Sequence, residues 1–406
     1  MAKIAIADPT VNGAAIALLQ GYGHEMGVPL NEADAGLIRS AIPNYADLGK
    51  NFVAFARCGT GWDNLEHLTQ YGVCIVTALG ANAPDVADVW LGHMLERHRN
   101  INAARHYAHT AYRVPVPGEE GKFEILEQDV FRKKFENEKG QFRGRRLRDS
   151  RLTVIGAGHV GMEVIERARA PFHNMTVTAL DINWRSKNKA RAIELGVKIA
   201  ESEEEAYAGA DVVTYHVPED ATTKGLICER TLAMMPKKVL VFNLAREGIC
   251  NVDDMRRLLL SGSVGHYYTD LPHVGFDGCP NVTMTPHTCA ETEEAQIAAG
   301  VLAAERLHSF LSSGSTEGSV NFPIVEAPTN GAVMRLCIPH QANIAGVLAG
   351  ITDCISAADI SVDDITRHKG NLAVSFLDLD KIAPDELLQE ISALPHVHRV
   401  HACRLA

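Results

Sequence analysis

The sequence predicts an α/β protein. A doubly wound parallel sheet is preceded by a second parallel sheet and followed by a small βαββαβ unit. Three observations carry this expectation. Compact apolar runs alternate with helical stretches from residue 3 to residue 311, as in parallel strands buried on both faces. A Gly-x-Gly-x-x-Gly motif follows one of these runs and opens a helix. Beyond a proline-bounded linker at 323–328, the order changes to strand, helix, strand, strand, helix, strand.

In the first region, to about residue 100, the runs 3–7, 52–57 and 73–77 read as strands with helix and loop between them. A long helix begins after Pro84, with Ala87, Leu91, Met94, Leu95 and Ile101 on one face and Asp85 and Asp88 in its first turn. From 110 to 150 the rhythm breaks. Val114-Pro-Val-Pro-Gly118 is extended, and Arg143, Arg145, Arg146 and Arg148 cluster before the next strand. That cluster reads as a solvated loop, with a phosphate-facing patch as the alternative. The second region carries six strand-like runs, at 152–156, 176–181, 211–217, 238–244, 264–271 and 281–285. Helices at 160–170 and 253–260 fall between them, describing a Rossmann sheet. A helix over 292–311 follows. The last unit reads as strands at 332–338, 359–366, 372–378 and 397–404 with helices at 344–356 and 384–393, a ferredoxin-like order. The expected domains are therefore 1–100 with 289–322, then 101–288, then 331–406.

Composition excludes several classes of function. A formal net charge of -11 disfavours binding to nucleic-acid phosphates. No stretch approaches the roughly 20 apolar residues that span a bilayer, and the N-terminus is too short in apolar residues for a secretory signal. The nine cysteines are scattered without a C-x-x-C pair. This suits free thiols in a reducing cytoplasm and points to no metal.

The chemistry concentrates in three places. Gly156, Gly158 and Gly161 form the turn that lets a dinucleotide pyrophosphate approach a helix N-terminus, with His159 and Val160 inside it. Asp181 ends the next strand, where it binds ribose hydroxyls and repels a 2′-phosphate, favouring NAD; Arg185 nearby softens that preference. Oxidising a secondary alcohol beside a carboxylate then requires a base and a cation. His287, in Thr285-Pro-His287, and Arg246, in Phe242-Asn-Leu-Ala-Arg246, each follow a strand of the second sheet, where ligands bind. Arginine presents two parallel donors to a carboxylate, and histidine exchanges a proton near neutral pH.

Together with Arg57-Cys-Gly-Thr-Gly-Trp-Asp-Asn64, Gly80-Ala-Asn82, Tyr215-His-Val-Pro218 and Thr269-Asp270, these motifs resemble the D-isomer-specific 2-hydroxyacid dehydrogenases, and within them the branch that oxidises 3-phosphoglycerate. The resemblance implies a flavodoxin-like substrate domain, a Rossmann NAD domain and a C-terminal ACT domain. It implies that Arg246 anchors the substrate and His287 is the general acid/base. Gly59, Thr60, Gly61 and Asn82 would meet the substrate carboxylate, and Arg57 the phosphate. Asp270 would hold the nicotinamide amide, while Ala245, His216, Val217 and Pro218 would border the cofactor. Asn343 and Gly346 would contact an amino-acid effector, serine being the expected one, unless the unit is purely structural or oligomerising. A homodimer or homotetramer is implied, without nucleic-acid or membrane partners. Two departures stand out. The glutamate that orients the histidine in the family is missing from Asp270-Leu-Pro-His-Val-Gly-Phe-Asp277, leaving Asp277 as its nearest substitute. An insertion spans 114–132, read as a surface or oligomer-contact loop. Another small 2-hydroxy acid as substrate, or an inactive NAD-binding sensor, are the alternative readings.

Overall fold

The computed structural model describes residues 1–328, 331–370 and 372–405, so residues 371 and 406 of the expected C-terminal unit lie outside the described residues. The chain forms two units, Met1–Asn82 with Thr292–Ala406, and Ala83–Glu291. In the first unit, strands β1 (Lys3–Ile6), β2 (Glu25–Met26), β3 (Ala35–Ile38), β4 (Ala54–Arg57) and β5 (Cys74–Thr77) are all parallel. Their order, β2-β1-β3-β4-β5, is that of flavodoxin. Two of these strands, β2 and β3, were not expected from the sequence. In β3, Gly36 is required by packing, because a Cβ there would lie 2.5 Å from the Phe55 ring.

The second unit opens with helix Ala83–Arg99. The boundary expected near residue 100 therefore falls at 82, because Val86, Ala87, Trp90 and Met94 bury against Leu152, Val154 and Val164 of the second unit's core. Helix Ile101–Thr110 leads to a hairpin of β6 (Arg113–Pro115) and β7 (Phe123–Ile125), followed by helix Gln128–Glu138. The insertion is thus ordered rather than a plain loop, and it exposes Phe123, Ile125 and Val130. The main sheet comprises β8 (Arg151–Ile155), β9 (Thr176–Leu180), β10 (Lys198–Ile199), β11 (Val212–Tyr215), β12 (Val239–Asn243), β13 (Val264–Thr269) and β14 (Val282–Met284). All seven are parallel, in the doubly wound order β10-β9-β8-β11-β12-β13-β14.

Helix Glu293–Ser313 returns the chain to the first unit. Strands β15 (Met334–Gln341), β16 (Val362–Lys369), β17 (Leu372–Leu379) and β18 (His401–Arg404) then form an antiparallel sheet, ordered β16-β17-β15-β18. Helices Val347–Ala357 and Asp385–Ser392 complete a βαββαβ unit. Alternation along its strands divides the sheet. Met334, Leu336, Ile338, Leu377 and Leu379 pack under the two helices. Cys337, Leu372, Val374 and Phe376 join Cys74, Phe310 and Phe322 in the core of the first sheet. This shared core is why the stretch expected as a separate domain groups with the first unit. Arg399 reinforces the junction: it is buried, donates to the carbonyls of Tyr71 (3.1 Å) and Phe52, and lies over the Tyr45 ring. A buried Arg335–Asp378 pair (2.6 and 2.8 Å) ties β15 to β17.

Candidate active site

In the second unit the glycine turn, Asp181 and the His216 backbone meet at one end of β8. Gly156 has φ +87°, and a Cβ there would lie 2.8 Å from the His216 carbonyl oxygen. At Gly161 a Cβ would lie 2.0 Å from the Gly156 oxygen, whereas at Gly158 it would meet nothing within 4 Å. Two glycines close the turn and the third leaves open space above the N-terminus of helix His159–Arg169, a cradle for a pyrophosphate. The Asp181 carboxylate accepts from the Ala157 and Asn183 N–H groups, both at 2.7 Å. This fixes its orientation and leaves further lone pairs for ribose hydroxyls. Asn188 adds a bond to the Ala157 carbonyl (2.8 Å), a contribution the sequence reading missed. His216 meets the turn through its backbone. Its Nε2 pairs with the Thr214 hydroxyl (2.9 Å), its buried Nδ1 has no partner among the described residues, and burial pushes its pKa down to about 3, so it is neutral at pH 7. Val217 is half-buried beside it and Pro218 is exposed.

Arg246 follows β12 and His287 follows β14. In a parallel sheet both leave the same edge as the glycine turn after β8. Both are exposed. Arg246 Nη1 bonds the Ala245 carbonyl (2.8 Å). The buried Asn243 braces this loop, accepting from Ala245 N–H (3.2 Å) and donating to the Arg246 carbonyl (2.8 Å). Asn243 is a positioning residue that sequence reasoning quoted without assigning.

The turn carrying His287 has a local explanation. His287 sits at φ +58°, with its N–H bonded to the Asp270 carbonyl (2.8 Å). The Asp270 carboxylate accepts from the Thr285 hydroxyl and from the Thr288 and Cys289 N–H groups (both 2.9 Å). Asp270 is only 2 % exposed and clamps the histidine turn through these bonds. Among the described residues the imidazole has no hydrogen-bond or ion-pair partner, and Asp277 does not supply one.

In the first unit, Arg57 ends β4 and its guanidinium lies over Gly59, where a Cβ would be 1.8 Å from Nη1. The Ala78 N–H donates to the Gly59 carbonyl (2.9 Å), drawing the Gly59, Thr60 and Gly61 loop toward the turn that carries Asn82. Arg306, from helix Glu293–Ser313, holds the Thr77 and Leu79 carbonyls under that turn, a role the sequence did not reveal. Asp8 secures the neighbouring loop. Its burial favours the neutral acid, but bonds from the Thr10 hydroxyl and the Ser40, Thr10 and Ala41 N–H groups outweigh this and hold its pKa well below the usual carboxylate range. At the start of the first helix of the βαββαβ unit, Asn343 (φ +60°) and Gly346 (φ +87°) form an exposed left-handed turn, so the helix begins at Val347 rather than 344. No metal-binding group of three or more His, Cys, Asp or Glu residues, and no helix long and apolar enough to cross a membrane, occurs among the described residues.

Residues 121–289 match the model of the D-isomer specific 2-hydroxyacid dehydrogenase NAD binding domain. They form an NAD-binding domain. D-3-phosphoglycerate dehydrogenase of Dictyostelium discoideum is 30% identical over 262 residues, covering 62% of this chain and 62% of that protein. The enzyme of the same name from Methanocaldococcus jannaschii is 28% identical over 408 residues, covering 94% of this chain and 70% of that protein. The chain thus spans roughly 60 to 70% of the length of such relatives. The crystal structure of NAD+-bound 3-phosphoglycerate dehydrogenase from Entamoeba histolytica shares the fold. It has 22% identity and a TM-score of 0.57, covering 80% of this chain and 99% of that one. The NAD fit rests on the chain's own atoms: the open face at Gly158 and the pre-oriented Asp181 carboxylate.

Proposed function

We propose that the protein oxidises D-3-phosphoglycerate to 3-phosphohydroxypyruvate with NAD. The observation that carries this reading is the grouping of the glycine turn, Arg246 and His287 at the carboxyl edge of one parallel sheet. NAD, when bound, accepts the hydride from the substrate C2. Arg246 holds the carboxylate through paired N–H donors and stabilises negative charge on the C2 oxygen. His287 takes the C2 hydroxyl proton through its imidazole and returns it in the reverse direction. Gly59, Thr60, Gly61 and Asn82 are assigned to the substrate carboxylate, and Arg57 to the phosphate.

We assign the C-terminal βαββαβ unit as an ACT-type module, with Asn343 and Gly346 meeting serine. Open space above Gly346 and the exposed Asn343 amide support this. The exposed Phe123 and Ile125 of the β6–β7 hairpin support assembly as a homodimer or homotetramer.

The reading is tested by NADH oxidation with 3-phosphohydroxypyruvate, hydroxypyruvate and 2-oxoglutarate, with and without serine. Preference for the phosphorylated acid, lost in Arg57→Ala, is expected. One observation favours a second reading, an unphosphorylated 2-hydroxy acid: Gln70 is neutral, and its amide turns back to the His67 carbonyl (3.1 Å). Equal turnover of the unphosphorylated acids would establish that reading. Tight NADH binding without turnover would make the protein a sensor.

A further inference from the structure

The second unit has a cavity of about 400 Å³ at the edge of its sheet opposite the glycine turn. Its wall is built where β8, β11 and β12 begin, at Ser150, Ala210–Asp211 and 236–238, whereas the glycine turn and Arg246 follow the ends of β8 and β12. Strands of four or five residues, at about 3.3 Å per residue, separate the two edges by roughly 15 Å.

Five cations line the cavity: Arg97, Arg143, Arg145, Lys237 and Lys238. None forms an ion pair among the described residues. The single carboxylate in the wall, Asp211, is engaged by Arg151, which donates from its backbone N–H (2.9 Å) and its Nε (3.2 Å). In a chain of net charge -11, so concentrated a positive field is not a composition effect. Helix-dipole complementarity accounts for Arg97, in the last turn of helix Ala83–Arg99. It does not account for the other four, which arrive from two separate loops.

Those loops are held by backbone bonds, so the cations are not merely solvated ends of a mobile segment. Arg145 N–H donates to the His98 carbonyl (2.7 Å), and the Asn100 amide donates to the Arg143 carbonyl (3.3 Å). Between them, Gly144 lies so close that a Cβ would be 2.2 Å from the His98 oxygen. Lys238 takes φ +65°, with its N–H bonded to the Ser263 carbonyl (2.7 Å). The floor is a buried His98–Ser150 pair (2.7 Å).

We propose that this cavity is a second ligand site, for a small organic phosphate carrying two or more negative charges, independent of the NAD site. Its volume falls within the range of small-molecule pockets, about 300–1,000 Å³. Guanidinium forks and ammonium groups are the donors that phosphate oxygens take.

The test is calorimetric titration of the full chain with inorganic pyrophosphate, with saturating NADH filling the glycine turn. One equivalent is expected to bind, with affinity falling steeply between low and moderate salt. The Arg143→Ala/Arg145→Ala and Lys237→Ala/Lys238→Ala variants should each lose tenfold or more. Arg143→Lys/Arg145→Lys should retain most of the binding, separating charge from folding. Arg246→Ala, at the opposite edge, should bind as the parent does. Unchanged affinity in both alanine pairs would overturn the proposal. So would loss in Arg246→Ala, or binding of a long polyanion such as heparin without binding of pyrophosphate.

Discussion

Replacing Asp270 with asparagine tests whether this residue is the clamp of the histidine turn. The substitution keeps the shape but removes the charge and converts one acceptor into a donor. The Thr285 hydroxyl can rotate to accept a bond; the N–H groups of Thr288 and Cys289, one on each carboxylate oxygen, cannot. Whichever way the amide faces, one of these N–H groups loses its acceptor at a site only 2 % exposed. An orphaned buried donor costs roughly 1–3 kcal/mol. For a unit of this size that lowers Tm by about 2–4 °C per kcal/mol. If the same energy appears as misplacement of His287, kcat falls by about 5- to 150-fold, since 1.36 kcal/mol is tenfold in rate. Thermal unfolding and NADH oxidation with 3-phosphohydroxypyruvate are the measurements. Parental values of both Tm and kcat in Asp270→Asn would refute the clamp. A raised KM for NADH with Tm unchanged would do so too, returning Asp270 to the nicotinamide.

Gly161→Ala forces a Cβ to 2.0 Å from the Gly156 oxygen, so about 1–3 kcal/mol of stability and at least tenfold in NADH affinity should go. Fluorescence titration of NADH checks it, and an unaltered affinity would contradict the cradle. Burial pushes His216 down to about 3 and His266 to about 4, the latter with help from Arg97 and His93. Both folded-state values lie below the ordinary 6.5, so the stability tied to the neutral rings is complete above about pH 6.5 and drains as pH falls towards 4. Urea midpoints at pH 7 and pH 5 should therefore differ, and less so in His266→Gln; equal midpoints in the parent would count against this. Arg335→Met strips Asp378 of its guanidinium in the interior and should cost about 3–5 kcal/mol in denaturant unfolding. Pairing it with Asp378→Leu should recover most of that loss.

The doubly wound sheet was legible because most of its strands are apolar runs flanked by turn residues, which local pattern reveals. Strands β2 and β10 are two residues each, too short for any periodicity, and β3 is Ala-Gly-Leu-Ile, poor in β-branched residues. The glycine turn was legible in full, since Gly156 and Gly161 answer local steric demands and Gly158 leaves the face above the helix open. The role of Asp270 was not: adjacency to a strand end shows that the side chain is near the site, not that residues 285–289 fold back onto it. Arg306 and Arg399 were invisible for a related reason. They bond backbone carbonyls 229 and 347 residues away, and such pairings leave no mark in local sequence. The boundary at residue 82 was hidden because helix Ala83–Arg99 continues the alternating rhythm of the first region while its apolar face serves the second.

The pairing of Arg399 with Phe52, and of Asn321 with Ile75 and Val73, bears on how the chain is made. A ribosome completes the Rossmann unit, 83–291, while the opening 82 residues still lack the helix, the asparagine and the arginine that finish their core. The gap of 347 residues between Phe52 and Arg399, at about 5–20 residues per second, is a wait of roughly 17–70 s. Throughout it, the apolar strands Ala54–Arg57 and Cys74–Thr77 stand unsealed. Segment 1–82 is thus the part that chaperones should hold longest, and the emergence of Asn321 and Arg399, rather than of the Rossmann unit, is the event that seals it.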